Sequence, residues 1–228
     1  MTYPKPTLAA DIAFITVHNA KLHCLLMNRD DATQVGGDWA LPGKFVHEDV
    51  SLEDTAQAVA LEKAGLRDVY LEQLATYGAL DRDPRQRVIS ITYLALVPHS
   101  RIQAAIAANP ALALAEVTTR WSGETGGQAQ ATSPEHGALA LAFDHADILG
   151  DVVKRLRGKL DYSPVGLELL PKLFTLRDVQ EIHEAILGQK LAKPAFRRKL
   201  LDRNLIKPTG QKEQASAFRP AELYSKTK

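Results

Sequence analysis

A short segment in the first third of the chain leaves little freedom in how it can fold. Ser51 suits a helix N-cap, and Asp54, three residues later, can complete a capping pair with it. Gly65 is a natural C-terminal stop for the same helix. The segment that precedes this helix, Gly36-Gly-Asp-Trp-Ala-Leu-Pro-Gly-Lys-Phe-Val, is rich in glycine and contains aromatic side chains. Together they predict a glycine-rich loop that leads into one helix, from Leu52 to the stop.

The runs on both sides of this helix predict strands. Residues 11–17 are apolar and β-branched, residues 21–27 are apolar, and a turn at residues 18–20 can join them as a hairpin. Residues 88–97 carry the strongest strand pattern in the chain. Strands on both sides of a helix predict a sheet with that helix packed against it.

The middle of the chain predicts two more helices and a loop between them. An alanine-rich stretch at residues 101–108 is typical of a short helix. A longer helix opens at Asp144, with apolar residues at intervals of four, namely Ile148, Val152, Leu156 and Leu160. Residues 122–137 are polar and contain several glycines, so we expect a long loop there.

Composition narrows the class of protein. Of the 228 residues, 45% are hydrophobic and 24% are charged, as in ordinary globular proteins. No apolar run is long enough to span a membrane, and the first residues lack the pattern of a secretion signal. The one cysteine, Cys24, excludes an intramolecular disulfide, and its leucine neighbours predict a buried thiol. We therefore expect a cytoplasmic protein that does not associate with membranes.

The C-terminal part has a different order of elements. Thr175-Leu-Arg-Asp is a capping box that opens a helix with one apolar stripe, and Gly188 ends that helix. A basic helix follows over residues 193–204, and two short strands, 205–210 and 221–224, flank a polar tip. Helix, turn, basic helix and hairpin, in this order, are typical of a winged helix-turn-helix.

Charge is divided unevenly between the two parts. Residues 159–228 hold 14 basic and 8 acidic side chains, whereas residues 1–158 hold 14 basic and 19 acidic ones. A basic module on an acidic body favours a polyanionic partner for the C-terminal part. A solvated basic surface is the alternative that charge alone would favour.

The stretch from Gly43 to Leu66 resembles the Nudix box. That motif is a glycine, five residues, a glutamate, seven residues, then Arg-Glu, an apolar residue, any residue, Glu-Glu, any residue, glycine and an apolar residue. Because the helix must end at Gly65, the register is fixed. Lys44 then stands at the first glycine of the motif, and Glu62 matches one of its metal-binding glutamates.

The departures from this motif concern its chemistry. Val50 stands in place of the first glutamate, Ala58-Val59 in place of Arg-Glu, and Lys63 in place of the last glutamate. In Nudix hydrolases these carboxylates hold the divalent cations that activate water and neutralise the diphosphate. Glu62 alone cannot supply the oxygen ligands that Mg²⁺ needs, so we expect neither a metal site nor catalytic residues.

The two parts together are similar to the NrtR family of Nudix-related transcriptional regulators of NAD metabolism. In the C-terminal part the resemblance rests on Phe174-Thr-Leu-Arg-Asp-Val-Gln, Phe196-Arg-Arg-Lys-Leu and Arg219-Pro-Ala-Glu-Leu-Tyr. It implies an α+β architecture, with a Nudix-type α/β/α sandwich over residues 1–158 followed by a winged helix-turn-helix domain over residues 159–228. It also implies a homodimeric repressor that binds a double-stranded DNA operator. The implied effector is ADP-ribose or a related nucleotide, with no cofactor. A closely similar domain pair in sugar-responsive regulators leaves the regulated pathway open.

The candidate effector residues lie before the strongest strand. Arg82, Arg85 and Arg87 fall within six residues, and the planar fork of arginine suits diphosphate oxygens. Lys44 and Phe45 are expected near the mouth of the same pocket. The alternative for residues 81–87 is a solvated turn with local aspartate–arginine pairs. For the segment Ala142-Phe-Asp-His145 the alternatives are a ligand-facing segment and, as the simpler interpretation, an N-cap at Asp144 followed by a first-turn residue.

The candidate DNA contacts lie on the basic helix and the hairpin. At about 100° per residue, Phe196, Leu200 and Leu201 mark the buried arc of that helix. Arg198 and Lys199 then point away from the core, and Arg197 lies at the edge. The full set of predicted DNA-binding residues is Lys193, Arg197, Arg198, Lys199, Lys212 and Arg219.

Two other functions compete with that of a ligand-responsive regulator. The first is an active Nudix hydrolase of ADP-ribose or a related nucleoside diphosphate derivative, against which the missing glutamates argue. The second is a nucleotide-binding adaptor whose C-terminal part contacts protein or RNA. A promoter gel shift with and without ADP-ribose, alongside a Mg²⁺-dependent hydrolysis assay, separates the three.

Overall fold

The structure is a computed structural model that describes residues 5–29, 37–213 and 220–227. Its helices are α1 (Leu52–Ala64), α2 (His99–Ala108), α3 (His145–Lys159), α4 (Leu176–Leu187) and α5 (Lys193–Asp202), with a short 3-10 helix at Val165–Leu169. Its strands are β1 (Thr7–His18), β2 (Lys21–Asn28), β3 (Trp39–Ala40), β4 (Gly43–Phe45), β5 (Tyr70–Tyr77), β6 (Val88–Leu96), β7 (Leu112–Thr119), β8 (Ala129–Ser133), β9 (Gly137–Ala138), β10 (Ile206–Lys212) and β11 (Glu222–Lys226). Within the described residues, no helix is both long and apolar enough to cross a membrane.

Strands β1 to β9 form one mixed sheet. Its main order is β5-β6-β1-β2-β7-β8-β9, with β3 paired to β2 and β4 paired to β1. The β1–β6 pair is parallel and the other pairs are antiparallel. The predicted hairpin turn between β1 and β2 is confirmed, since Asn19 and Ala20 both have positive φ, as a tight two-residue turn requires.

Alternating residues of β1 supply the two faces of this sheet. Ile12 and Phe14 point into a core that they share with α1 and α2. Ala13 and Ile15 point into a second core on the opposite face, where α3 packs. Helices on both faces make the α/β/α sandwich that the sequence predicts. Cys24 is buried in the second core, and burial raises the pKa of its thiol, as expected for an inert cysteine.

The predicted caps of α1 are present. The Ser51 side chain accepts a hydrogen bond from the backbone N–H of Asp54 at 3.0 Å. Gly65 ends the helix with φ of 63°, the left-handed conformation that glycine adopts without strain. Local sequence therefore fixes both ends of the helix that lies next to β1 and β4.

One prediction for this part of the chain is wrong. Residues 122–137 were expected to form a loop throughout, but β8 pairs with β7 over residues 129–133. Ala129, Ala131 and Ser133 are buried and the two residues between them are exposed, the alternation of a strand with one covered face. The side chains are too small to give that alternation a clear hydrophobic signal.

The C-terminal elements form the predicted winged helix-turn-helix. The Thr175 hydroxyl accepts from the Asp178 N–H at 3.2 Å, and the Asp178 carboxylate accepts from the Thr175 N–H at 2.7 Å, which confirms the capping box. Strands β10 and β11 form the wing. Phe174, just before α4, forms an isolated antiparallel bridge with Tyr224 on β11.

Helix α3 connects the two parts. Its buried residues Val153 and Leu156 belong to the same apolar core as Val165 and Ile186 of the C-terminal part. Arg157, near the end of α3, donates from Nε to the Ile186 carbonyl of α4 at 3.0 Å. The division at residues 158 and 159 therefore falls in the last turn of α3, across a continuous core, and it stays a prediction.

Candidate functional site

A cavity of about 650 Å³ opens where β1, β2 and β4 meet the start of α3. Its volume lies in the range of pockets that hold nucleotide-sized ligands. Among the described residues its wall carries five basic side chains, which are Arg29, Lys44, Lys63, Arg82 and Arg85. Two acidic side chains, Asp11 and Asp83, lie in the same wall. The wall therefore has an excess of positive charge, which suits an anion.

The predicted effector residues are distributed unequally around this cavity. Arg82, Arg85, Lys44 and Phe45 line it. Arg87 lies outside the lining, and its Nη1 donates to the Ala79 carbonyl at 2.8 Å. The segment is also less open than a solvated turn, since Arg82 and Asp83 are both buried. Their roles in binding stay predictions.

Arg82 is held by a buried, two-pronged ion pair. Its Nε donates to one oxygen of Asp144 at 2.9 Å and its Nη2 donates to the other at 2.7 Å. The Arg82 side chain is 4% exposed, and Asp11 lies 3.9 Å from the same Nη2. Asp144 is the N-cap residue of α3 and His145 lies in its first turn, as the simpler interpretation predicts. The Asp144 side chain makes no capping hydrogen bond, because its carboxylate is engaged by Arg82.

His145 completes this corner of the cavity. Its Nδ1 accepts a hydrogen bond from the Leu41 N–H at 3.0 Å, so the ring proton is on Nε2. Burial lowers the pKa of His145, which keeps the imidazole neutral. The first turn of α3 is thereby attached to the loop between β3 and β4.

Phe143 and Arg29 add an aromatic ring and a cation to the cavity wall. Phe143 belongs to the segment that the sequence offered as ligand-facing, whereas Arg29 was not identified. Phe143 lines the cavity with φ of 55°, a conformation that costs energy for a residue other than glycine. The guanidinium carbons of Arg29 and Arg85 lie 4.6 and 5.3 Å from the centre of its ring. Strained aromatic residues cluster at ligand sites, but the strain arises from the tertiary fold and leaves no sequence signal.

Glu62, the one metal-binding glutamate of the Nudix motif that is present, contacts Lys44, which replaces the first glycine of the motif. Lys44 Nζ lies 3.1 and 2.9 Å from the two carboxylate oxygens of Glu62. Lys63, at the position of the motif's last glutamate, lines the cavity. In residues 5–29, 37–213 and 220–227, no group of three acidic, histidine or cysteine side chains is arranged to hold a metal ion. These residues therefore do not fit the divalent cations of a Nudix hydrolase.

The basic helix α5 is rotated from its predicted orientation. Phe196 and Leu200 face the core, but Leu201 is 42% exposed, so its predicted burial is wrong. The buried arc instead runs through Phe196, Leu200 and the half-buried Arg203. The helical wheel gave the correct angles between residues, but the tertiary contacts decide which arc is covered.

The predicted DNA-binding residues of α5 are all exposed. Arg198 points outward, with its side chain 86% exposed and the Asp202 carboxylate 3.9 Å away. Lys199 lies at the edge facing α3 and pairs with Asp161 at 2.7 Å. Lys193 and Arg197 are exposed on the same helix. Lys212 is exposed at the end of β10, and Arg219 lies outside the described residues.

A buried carboxylate sets the turn between α4 and α5. The two oxygens of Glu184 accept from the Gln180 side chain at 2.7 Å, from the Leu191 N–H at 3.0 Å and from Lys190 at 2.7 Å. Gln180 also donates to the Leu191 carbonyl at 3.1 Å, so both polar groups of that peptide are held. These donors, with Lys190 first, lower the pKa of Glu184 to about 2.

The contribution of Glu184 to stability is expected to depend on pH. Because its folded pKa lies below its ordinary value, the stabilisation is present at neutral pH and is lost as pH falls from about 5 towards 2. Glu184→Gln keeps an acceptor but loses the charge, so we expect a decrease of about 1 kcal/mol in the free energy of unfolding at pH 7. Urea unfolding across this pH range, with the exposed Glu181→Gln as control, measures it. A difference from the parent that stays constant down to about pH 2.5 would contradict this assignment.

Comparison with known proteins identifies the family. Residues 166–225 match the NrtR DNA-binding winged helix domain. Over 224 residues, which are 97% of this chain and 82% of the relative, the sequence is 36% identical to the ADPR responsive transcriptional repressor NtrR of Acinetobacter baylyi. The chain belongs to the NrtR family. The resemblance drawn from the sequence is thereby confirmed.

Solved structures support the same assignment over the whole chain. Shewanella oneidensis NrtR in complex with a 27mer DNA is 30% identical, with a TM-score of 0.78 over 96% of this chain and 93% of that one. A MutT/nudix family protein from Enterococcus faecalis, 24% identical, has a TM-score of 0.77 over 99% of this chain and 90% of its own. This second likeness shows the fold alone. The predicted architecture, a Nudix-type sandwich followed by a winged helix, is therefore confirmed for this member of the NrtR family.

Proposed function

We propose that this protein is a transcriptional repressor that binds an operator as a homodimer and responds to ADP-ribose bound in the cavity beside α3. The observation that carries the proposal is the cavity itself. It has the volume of a nucleotide site and an excess of basic side chains. The domain that contains it shares one apolar core with the DNA-binding domain. The relative from Acinetobacter baylyi is named for its response to ADPR, and the resemblance implies genes of NAD metabolism as targets.

Recognition of ADP-ribose would use two kinds of contact. Basic side chains suit the diphosphate, and the guanidinium groups of Arg82 and Arg85 lie in the wall. Their Nε–Nη2 edges are engaged by Asp144 and Asp83, so the diphosphate would have to displace these carboxylates to bind there. The apolar part of the wall, including Phe45 and Phe143, suits the nucleoside. Arg29, Lys44 and Lys63 add positive charge around the same volume.

Binding of DNA would use the exposed basic side chains of the winged helix. Arg198 is the candidate for a base contact in the major groove, because it points outward from the middle of α5. Lys193, at the start of α5, is the candidate for a phosphate contact. Arg197 and Lys199 lie on either side of Arg198, and Lys212 and Arg219 flank the wing in the sequence.

The proposal is tested by two measurements on the full chain. Calorimetry with ADP-ribose should show binding, whereas an equimolar mixture of AMP and ribose 5-phosphate, which lacks the diphosphate link, should bind more weakly. Fluorescence anisotropy with promoter DNA should then show an operator affinity that changes when ADP-ribose is added. Absence of ADP-ribose binding, or DNA binding that is indifferent to it, would contradict the proposal.

We further propose that the protein does not hydrolyse ADP-ribose. Glu62 is held by Lys44, and the other motif carboxylates are replaced by Val50, Val59 and Lys63, so no set of oxygens remains for the cation. With Mg²⁺ or Mn²⁺ present, chromatographic assays for AMP and ribose 5-phosphate, the products of hydrolysis, are expected to show no turnover above the uncatalysed rate. Turnover at an ordinary enzyme rate, on the order of 1–1000 per second, would support the hydrolase instead.

The homodimer is proposed on geometric grounds. One winged helix covers little DNA, and two such domains on half-sites about one helical turn apart are the usual solution. Sedimentation at micromolar concentration is expected to give twice the mass of the chain. A monomer that retains operator binding would contradict this part of the proposal.

A further inference from the structure

The ion pair between Arg82 and Asp144 occupies the side of the arginine that a diphosphate would use. Both carboxylate oxygens of Asp144 accept from the Nε–Nη2 edge of Arg82, in the two-pronged geometry that arginine also offers to phosphate oxygens. Arg82 lies in the wall of the cavity and is almost fully buried, so an incoming anion cannot bind its Nε–Nη2 edge while Asp144 holds that edge.

The two acidic neighbours of Arg82 differ in how firmly they are held. Asp11 lies within β1, between β4 and β6, and its carboxylate accepts a hydrogen bond from the Ser90 hydroxyl. Asp144 lies outside the sheet, directly before α3, and its side chain caps no backbone group of that helix. The preceding residue, Phe143, has the strained backbone with φ of 55°. Asp144 is therefore the carboxylate that can leave Arg82 without disturbing the sheet.

The other end of α3 contacts the basic helix of the DNA-binding domain. Leu160, the C-cap of α3, accepts from the Arg203 side chain at 2.9 Å, and Asp161 pairs with Lys199 at 2.7 Å. A helix of this length spans about 22 Å and behaves as a rigid rod. A displacement of Asp144, which directly precedes the helix, would therefore reach the contacts that orient α5.

We propose that Asp144 acts as an internal competitor of the effector. In the absence of ligand its carboxylate holds Arg82, and the diphosphate of the effector displaces it. The freed Asp144 changes the position of α3 and, through Leu160 and Asp161, that of α5. This inference rests on the proposed function, and it assigns the regulation to one ion pair.

The central experiment compares Asp144→Asn with Asp147→Asn. Both variants remove one negative charge from the first turn of α3, but Asp147 is exposed and accepts a hydrogen bond from Gln128 rather than from Arg82. If the Arg82–Asp144 ion pair is formed about nine-tenths of the time, it lowers the apparent affinity for ADP-ribose about tenfold. In calorimetry, Asp144→Asn should therefore bind ADP-ribose about tenfold more tightly than the parent. Asp147→Asn should bind as the parent does.

The response of DNA binding provides the second measurement. Coupled sites typically change each other's affinity about 5- to 150-fold, and in Asp144→Asn the effect of ADP-ribose on operator affinity should fall below about threefold. Without effector, this variant should already have the operator affinity that the parent shows when ADP-ribose is bound. Asp144→Ser, which retains a residue that suits the start of a helix, repeats both measurements if the asparagine variant is unstable.

Arg82→Gln separates competition from a structural role. If Asp144 competes with the ligand for Arg82, the two partners have opposite effects, because loss of Asp144 strengthens ADP-ribose binding and loss of Arg82 weakens it. Weaker binding in both variants would mean that the pair only supports the fold and would overturn the inference. The inference would also be overturned if Asp144→Asn and Asp147→Asn bound ADP-ribose with equal affinity. It would likewise be overturned if Asp144→Asn bound ADP-ribose more tightly but its operator affinity still responded to ADP-ribose as in the parent. A parent protein that does not bind ADP-ribose contradicts the proposed function itself, which makes the two failures distinguishable.

Discussion

Leu156→Ala is expected to lower the free energy of unfolding of the whole chain by about 2–5 kcal/mol, the range for truncation of a fully buried leucine. Leu156 lies on α3 with no exposed surface, in the core that contains residues of both the sheet and the winged helix. A cavity at this position removes contacts from both parts. We therefore expect the two parts to unfold together, in one transition at a lower denaturant concentration.

Urea unfolding followed by far-ultraviolet circular dichroism and by tryptophan fluorescence measures this effect. Leu61→Ala is the matched control, because it is the same substitution on the exposed side of α1. It should lower the free energy of unfolding by less than about 0.5 kcal/mol. Two separate transitions in Leu156→Ala, with only one of them displaced, would show that the domains fold independently. The boundary after residue 158 would then also separate two units of folding.

Arg198→Ala is expected to reduce the preference for the operator over unrelated DNA by about 1–3 kcal/mol, the value of one two-pronged contact with a guanine. The Arg198 side chain is 86% exposed, and the Asp202 carboxylate, 3.9 Å away, is too exposed to hold it. Lys193→Ala should behave differently. Loss of one phosphate contact weakens binding to all sequences and lowers the slope of the salt dependence by about one.

Anisotropy titrations with operator and scrambled DNA at several salt concentrations distinguish these two roles. Arg197→Ala is the informative comparison, because Arg197 lies nearer the wing and raises the positive potential around Tyr224. If Arg197→Ala abolishes the operator preference and Arg198→Ala leaves it intact, the side of α5 that faces DNA has been assigned wrongly.

Local patterns predicted the elements whose ends are fixed by neighbouring residues. Ser51 with Gly65, and Thr175 with Asp178, lie within a few residues of the backbone groups that they satisfy, so their effect is visible in the sequence. The wing and its preceding helices follow from the same kind of evidence. Strand β8 was missed because its buried residues are small, and its pairing with β7 decides its structure.

The candidate site depends on contacts that no local pattern records. Arg82 and Asp144 are 62 residues apart in the chain, and the sequence gives no indication that they meet. Lys44, Arg82 and Arg85 were recognised by type and Lys63 by its position in the Nudix motif, whereas Arg29 comes to the wall only because it directly follows β2. The orientation of Leu201 was wrong for the same reason, since the covered side of a helix is decided by its neighbours in space.

The ion pair between Lys44 and Glu62 has a consequence for what such a protein can detect. In a Nudix enzyme the positive charge that neutralises the diphosphate comes from bound Mg²⁺, so the affinity for the diphosphate depends on the Mg²⁺ concentration. If the effector site includes Lys44 as proposed, the positive charge is instead part of the chain, on a lysine whose ammonium lies about 3 Å from the one remaining motif carboxylate. The affinity of this protein for ADP-ribose should then be the same in a chelator as in millimolar magnesium. Its response would follow the concentration of the effector and would not change with that of divalent cations.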